Sequence, residues 1–481
     1  MKKRIPYWPY AAAILCFLYV FLRAWAIPLT YDEIWTIESL ADRSLSNIFS
    51  YQGLGSNSHL LNSLFVWIIQ QNKEWISLSE PFIYRLPNVL AFLLYAWFSI
   101  RLLGKLSSIP LQVMAFVFCF FNSFLLEFFS LCRGYGLALA FTAASIYSLS
   151  QYRYRLTLTW AALAVLANFT WLNFYLALLP VLVFVNWTKS IPFNRRFWAE
   201  LALPTILLAI LIVKPIIKLR VGDELWYGGQ TGLVYDTFTS LFLGTMGFKT
   251  PDRVAHLVLL AIAIQLFLSL LISFRKETRI KHLFQSDLFV YGLVFLMLCF
   301  SSLLQNLLFK TPFLVERTSL VFLLPLIWLV IKACELAMDK KYGKIALSGL
   351  AILGTAALLN FFNLANLSYS YSWPFDAKSG EIMDYLNEQG KQRQDTLHLD
   401  HSWIINVSIQ HEAKTNKYPW VNLVRNDTDS SRLAKMDYYY LYDNNREYAG
   451  YSSYQAIPDS FFRDTALYFP EQDLLLLKIR K

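Results

Sequence analysis

A chain of 481 residues that is 56% hydrophobic and 16% charged, with a mean hydropathy of +0.40, carries more apolar side chain than one soluble core can enclose. Its formal net charge of +10 is concentrated among the apolar runs before residue 364 while the remainder is slightly acidic, which argues against nucleic acid as a partner and for membrane lipids. Cys16, Cys119, Cys132, Cys299 and Cys334 lie in or beside apolar runs without a CxxC or Cys/His cluster, excluding a disulfide scaffold or a zinc ribbon.

A helix needs about 20 mostly apolar residues to cross a bilayer. On that criterion spans are predicted at 8–29, 83–103, 110–130, 135–152, 156–171, 172–188, 197–217, 255–274, 287–309, 314–333 and 345–363, about eleven in all. The first follows Lys2, Lys3 and Arg4 and contains Ala24-Trp25-Ala26, which resembles a signal-peptide cleavage site. Because the run continues to Leu29 and further spans follow, it reads as a retained helix.

Short basic connections at 101–105, 153–155, 189–196, 275–281 and 332–344 fall on the same side as residues 2–4, which makes that side cytoplasmic by the positive-inside rule. Residues 30–82, 218–254 and the C-terminal tail are then extracytoplasmic. Residues 59–70 are apolar but too short to span, as expected of a helix lying in the membrane interface.

From residue 364 Asp, Asn and Tyr replace the long apolar runs. Strands are predicted at 396–400, 420–424, 438–442 and 474–479, with helices at 379–389 and 403–413. The tyrosines between 438 and 454 suit either a sugar-stacking face or, preferably, strand aromatics packed within a small domain. The expected fold is an α-helical polytopic membrane protein with about eleven transmembrane helices over 1–363 and a small extracytoplasmic α/β domain over 364–481. Its expected setting is the bacterial inner membrane.

Asp32 and Glu33 follow directly on the first span. Two adjacent carboxylates repel, so one is held protonated or neutralised by an arginine; either leaves a base at the membrane surface able to take a proton from a hydroxyl. The bland reading is a solvated loop, or a cap in which Asp32 meets the first amides of a helix beginning near Ile34. His59 and Asn62, three apart, share a helix face with Asn57 nearby and would either orient a substrate or wet the polar side of an interfacial helix.

Arg85, Arg133 and Arg317 are far apart in sequence, yet each falls at the outer end of a predicted span. Guanidiniums at one depth can clamp a lipid phosphate through bidentate hydrogen bonds, although each alone could snorkel to the headgroups. Arg23 lies deeper, inside the first span. Arg317 adjoins Glu316, but neighbouring helical residues do not face each other. The loop 218–254 is long enough to fold over a site and receives no chemical role here.

These elements together resemble the GT-C superfamily of multi-pass glycosyltransferases that use polyprenyl-phosphate sugars, which includes protein O-mannosyltransferases and the aminoarabinose transferase acting on lipid A. Phe21-Leu22-Arg23 followed by Asp32-Glu33 resembles the family's first helix and acidic pair. Asn57-Ser58-His59-Leu60-Leu61-Asn62 is similar to a stretch reading His-Pro-Pro-Leu in many members, without the prolines. Tyr84-Arg85-Leu86-Pro87-Asn88 resembles Arg-Leu-Pro-Ser, Leu131-Cys132-Arg133-Gly134-Tyr135 resembles Glu-Ala-Arg-x-Tyr with Glu and Ala replaced, and Glu316-Arg317-Thr318 resembles an Arg-Tyr motif with Thr substituted.

The resemblance, strongest over about residues 10–150, implies inverting transfer of a sugar to an acceptor hydroxyl on a glycan, lipid or protein, in cell-envelope assembly. It implies Asp32 and Glu33 as catalytic carboxylates, with His59, Asn62, Arg85, Arg133, Tyr135 and Arg317 binding substrate or lipid phosphate. No cofactor is expected; an acidic pair is able to hold a divalent cation, but too few further ligands are evident to expect one. The alternatives are a polytopic transporter or lipid flippase, which should carry mid-span charges and internal repeats, and a non-enzymatic scaffold whose outer domain binds a glycan or a partner.

Overall fold

The computed structural model describes residues 6–75, 78–190, 192–274, 286–338, 340–424, 435–443 and 462–479. Two units divide the chain, one formed by Met1–Trp25 with Ser39–Ala365 and the other by Ala26–Glu38 with Asn366–Lys481. Residues 2–4 and 275–281 of the basic pattern lie outside the described residues.

In chain order the helices are α1 (Trp8–Ala26), α2 (Tyr31–Leu40), α3 (Leu45–Ser50), α4 (Leu60–Gln71), α5 (Glu80–Leu103), α6 (Ile109–Phe120), α7 (Ser123–Glu127), α8 (Tyr135–Leu149), α9 (Tyr154–Ala167), α10 (Leu172–Thr188), α11 (Arg195–Val221), α12 (Thr239–Met246) and α13 (Asp252–Phe274). After them come α14 (Asp287–Phe309), α15 (Leu323–Met338), α16 (Gly343–Leu364), α17 (Ser379–Arg393) and α18 (Asn406–Thr415). Their starts follow local chemistry. Asn194 accepts from the Phe197 amide at 2.9 Å to open α11, Ser286 from the Phe289 amide at 3.3 Å to open α14, and a proline occupies the first turn of both α5 and α6.

Among the described residues eight helices are long and apolar enough to cross a membrane, where the sequence predicted about eleven spans. The difference lies at 110–130, 135–152 and 156–171, carried by helices α6, α8 and α9 of 12, 15 and 14 residues. Polar caps interrupt the apolar runs. Asn122 accepts from the Leu125 amide at 3.0 Å and starts the short α7, while Asn168 accepts from the amide and hydroxyl of Thr170 and ends α9.

The first unit is cored by α8, whose Ala, Gly, Ser and Thr positions let α5 and α9 approach closely, so that it is buried nearly all round. Arg23, at the end of α1, does not snorkel. It pairs with Glu127 of α7 at 3.7 Å, with both side chains almost fully excluded from solvent. Removing the carboxylate takes this counter-charge from a buried guanidinium, so Glu127→Ala is expected to lower the unfolding temperature of the detergent-purified protein. A thermal transition at the wild-type temperature would show that the pair contributes nothing.

In the second unit β1 (Leu397–His401), β2 (Val421–Leu423), β3 (Tyr438–Tyr442), β4 (Phe462–Phe469) and β5 (Leu474–Ile479) form one sheet of order β2-β1-β3-β5-β4. β1 runs parallel to β2 and β3, and β5 is antiparallel to β3 and β4. Four of these strands lie where the sequence pattern places them, and α17 and α18 occupy the predicted helical stretches. β4 is the unpredicted strand. It lies at the sheet edge with two register irregularities and carries Asp464, so it lacks the clean alternation that marks a half-buried strand.

The tyrosines of β3 belong to the packing, not to a sugar-stacking face. Tyr438, Tyr439, Tyr440 and Tyr442 are all buried, as a central strand covered on both faces requires. Tyr448, Tyr451 and Tyr454 lie outside the described residues.

Candidate functional site

In the second unit, the turn entering α2 carries the acidic pair. Thr30 O accepts from the Ile34 amide at 2.9 Å, and Glu33 Oε2 accepts from the Thr30 amide at 2.9 Å and its hydroxyl at 3.1 Å. Glu33 thus reaches back from the third helical position in the manner of a capping box. The helix therefore begins three residues earlier than the sequence suggested, capped through Thr30 and Glu33 rather than Asp32. Both carboxyl side chains are buried, so the solvated-loop reading is set aside.

Sequence reasoning passed over a third carboxyl in this unit. Asp376 is 3% exposed, and its Oδ2 accepts from the Tyr31 amide at 2.5 Å. Burial first, and then the neighbouring Asp32 and Glu33 carboxyls, raise its pKa well above the usual carboxylate range, against hydrogen bonds from the Tyr31 amide and Ser408 that lower it. Nothing in its own tripeptide marks it.

In the first unit a separate polar cluster gathers at one end of the helices. His59 is the residue before α4 and Asn62 lies in its first turn; both are buried, not set on a wet interfacial face. Asn62 donates to Cys132 O at 3.2 Å and its Oδ1 accepts from Asn88 Nδ2 at 3.3 Å, while Asn88 Oδ1 accepts from the Leu137 amide at 3.2 Å. The amide chain ties α4, α5 and the start of α8 into one rigid corner. Arg133 donates to Asn57 O at 3.1 Å and Asn57 Oδ1 at 3.3 Å.

Gly134 makes the corner possible. Its φ of +73° is left-handed, and a Cβ there would lie 2.1 Å from Ala167 O. That turn carries the chain from Arg133 to Tyr135, whose ring meets the His59 ring edge-on with centroids 6.3 Å apart. Phe169 closes the other side of the imidazole at 5.6 Å.

Arg317 reaches the same cluster. Its guanidinium lies 4.7 Å from the Tyr227 ring centroid and donates to the Tyr227 hydroxyl at 3.3 Å, and that hydroxyl donates a short hydrogen bond to Glu316. Arg317 also pairs with Glu316 at 3.6 Å. Adjacent helical residues should not meet, but Glu316 has φ of +45° at the head of a 3-10 turn, which swings its carboxylate towards its neighbour. Burial raises the Tyr227 hydroxyl's pKa well above its usual value, so the phenol keeps its proton and remains a donor.

Tyr227 comes from the loop given no chemical role on sequence alone. That loop is tied down where Glu224 Oε2 accepts from the Ser56 amide at 2.6 Å and where Gly229 bridges to Phe313. Arg85 is buried but committed differently, donating to Ala24 O at 3.1 Å near the end of α1.

Burial chiefly, with the positive charges of Arg133 and Arg317, lowers the His59 pKa to about 3, so near neutral pH the site holds two guanidiniums around an uncharged imidazole. An unfolded chain takes up that proton near pH 6.5 and the folded one refuses it, so acid favours unfolding. His59 is therefore expected to remove up to about 1.4 kcal/mol of stability per pH unit as pH falls below about 6.5. His59→Gln should flatten the decline of unfolding temperature between pH 6.5 and 4.5; an unchanged slope would place an ordinary histidine there.

Away from this cluster, an apolar cavity of ≈ 320 Å³ is lined among others by Phe121, Phe242, Met246, Leu326, Ile327 and Leu353. Among the described residues no group of three or more His, Cys, Asp or Glu side chains is placed to hold a metal ion.

No family model and no curated protein matches the chain. Among solved structures it is similar to ArnT from Cupriavidus metallidurans in the apo state, at 12% identity and a TM-score of 0.47, covering 98% of this chain and 97% of that one. It is similar also to ArnT from Cupriavidus metallidurans bound to undecaprenyl phosphate, at 12% identity and a TM-score of 0.45 with the same coverage.

Proposed function

We propose that this protein is an inverting glycosyltransferase that moves a sugar from a polyprenyl-phosphate donor to an acceptor hydroxyl at the extracytoplasmic membrane face, in the building of cell-envelope glycan or glycolipid. The observation that carries the proposal is that the positive charges of Arg133, held on Asn57, and of Arg317, held on Tyr227, both bear on the buried, uncharged His59 in the first unit. Two guanidiniums, one of them paired with Glu316, beside an imidazole without charge of its own leave a net positive charge suited to a phosphate anion.

Asp32 takes the proton from the acceptor hydroxyl as its oxygen forms a bond to the anomeric carbon. The bond from that carbon to the phosphate oxygen breaks, and its electron pair leaves on polyprenyl phosphate. Because the leaving group departs as an anion, it needs positive charge more than a proton, which Arg133 and Arg317 supply. Asn62 and Tyr135 shape the pocket, Arg85 braces its wall through the end of α1, and Glu33 holds the turn that carries Asp32.

The test is transfer from defined polyprenyl-phosphate sugars in membranes containing wild type or Asp32→Asn, with products analysed by mass spectrometry. Radiolabelled sugar appearing in a new lipid, glycan or protein with wild type alone supports the reading. Movement of intact polyprenyl-phosphate sugar between leaflets without bond cleavage would instead make the protein a flippase.

A further inference from the structure

We propose that Asp376 is a positioning residue for the turn that carries Asp32, so that the C-terminal part of the second unit serves to present the base. The inference rests on Asp32 being the base of the transfer proposed above.

Residues Ala26–Glu38 pack with the C-terminal segment in one unit and are gripped at two points. At the start of α2, the Tyr31 amide donates to Asp376 Oδ2 at 2.5 Å and the Tyr31 ring meets Phe375 edge-on, with centroids 6.5 Å apart. Seven residues on, Glu38 accepts from Lys414 at 3.1 Å and lies 3.8 Å from His411. The far grip is half-exposed and therefore worth little. The near one is buried.

Asp376 itself is well anchored. It ends a 3-10 turn beginning at Pro374, and Phe375 packs against Tyr442 of β3 at 5.3 Å. Ser379 donates to Ser408 at 3.1 Å, fixing the start of α17 against α18 beside it. An amide in the first helical turn lacks a partner within its own helix, so a buried acceptor aimed at it sets where the helix begins. Asp32 is the next residue. Its direction follows from that starting point, since one misplaced turn re-aims every side chain on it.

The grip needs an acceptor oxygen, not a charge. Burial and the two nearby carboxyls already disfavour ionisation of Asp376, and an asparagine offers the same oxygen in the same shape.

The experiment uses the full-length protein in lipid nanodiscs, comparing wild type, Asp376→Ala and Asp376→Asn. Asp376→Ala is expected to lower kcat about 10²-fold with the donor KM within about twofold, as misplacement of a reacting group does. Amide exchange over residues 31–38 should quicken in the same variant. Asp376→Asn is expected to keep kcat within about threefold, with the wild-type pH profile and exchange rates. Wild-type kcat and exchange in Asp376→Ala would overturn the inference, as would an Asp376→Asn variant with a shifted pH profile or a loss equal to alanine's. Should Asp376→Ala not fold, Asp376→Asn decides by itself. If wild type transfers no sugar from any polyprenyl phosphate, the reaction assigned above fails, while the exchange comparison still judges the grip.

Discussion

Asp32→Asn is expected to reduce transfer by about 10²–10⁴-fold while leaving donor KM and unfolding temperature near wild type. An amide keeps the size and polarity of the side chain but cannot accept the hydroxyl proton. The helix start does not depend on this carboxyl, because Glu33 takes the Thr30 amide and Asp376 takes the Tyr31 amide. Glu33→Ala should behave in the opposite sense, with a lowered unfolding temperature and a smaller loss of kcat, since its oxygen is spent on the turn. The measurement is steady-state transfer with purified protein alongside thermal unfolding. Equal turnover of Asp32→Asn and wild type would remove Asp32 from the chemistry.

Arg317→Met is expected to lower kcat by about 10²–10³-fold, with Arg317→Lys recovering only part. The guanidinium lies against the Tyr227 ring while donating to its hydroxyl, a geometry that a planar fork satisfies and a single ammonium does not. On the proposed mechanism Arg133 alone is then left to stabilise the departing phosphate. The loss should fall on kcat more than on donor KM, because the phosphate gains its full negative charge only as the sugar leaves. A variant whose kcat is unchanged and whose donor KM alone rises would reduce Arg317 to a ground-state contact.

Much of this arrangement is legible before any coordinates, because lipid and water write different patterns. The long apolar runs mark eight helices, and the change of composition near residue 364 marks an α/β segment whose strands declare themselves through Tyr438 to Tyr442 and Leu474 to Ile479. The three shorter helices were less legible, since one Asn or Gly inside an apolar run decides whether the helix continues. Arg133 and Arg317 stand out at the ends of apolar runs and His59 and Asn62 on one face of a short apolar helix, Tyr135 only through the family resemblance, and the first unit gathers them.

Tyr227, Glu316's role and Asp376 did not show themselves because their meaning lies in partners far along the chain. Tyr227 sits in a loop whose composition resembles any other, and only the approach of Glu316, 89 residues away, gives its hydroxyl a task. Asp376 is one acid among many in a polar tail until the Tyr31 amide is seen beside it. Local patterns report burial and periodicity well; they cannot report pairings closed over such distances.

The hydrogen bond between Tyr31 and Asp376 spans 345 residues. At about 5–20 residues per second of synthesis, its two halves emerge about 20–70 s apart. The acidic turn is made well before it can be completed, so a chain terminated between the two residues carries Asp32 without the carboxyl that seats its helix.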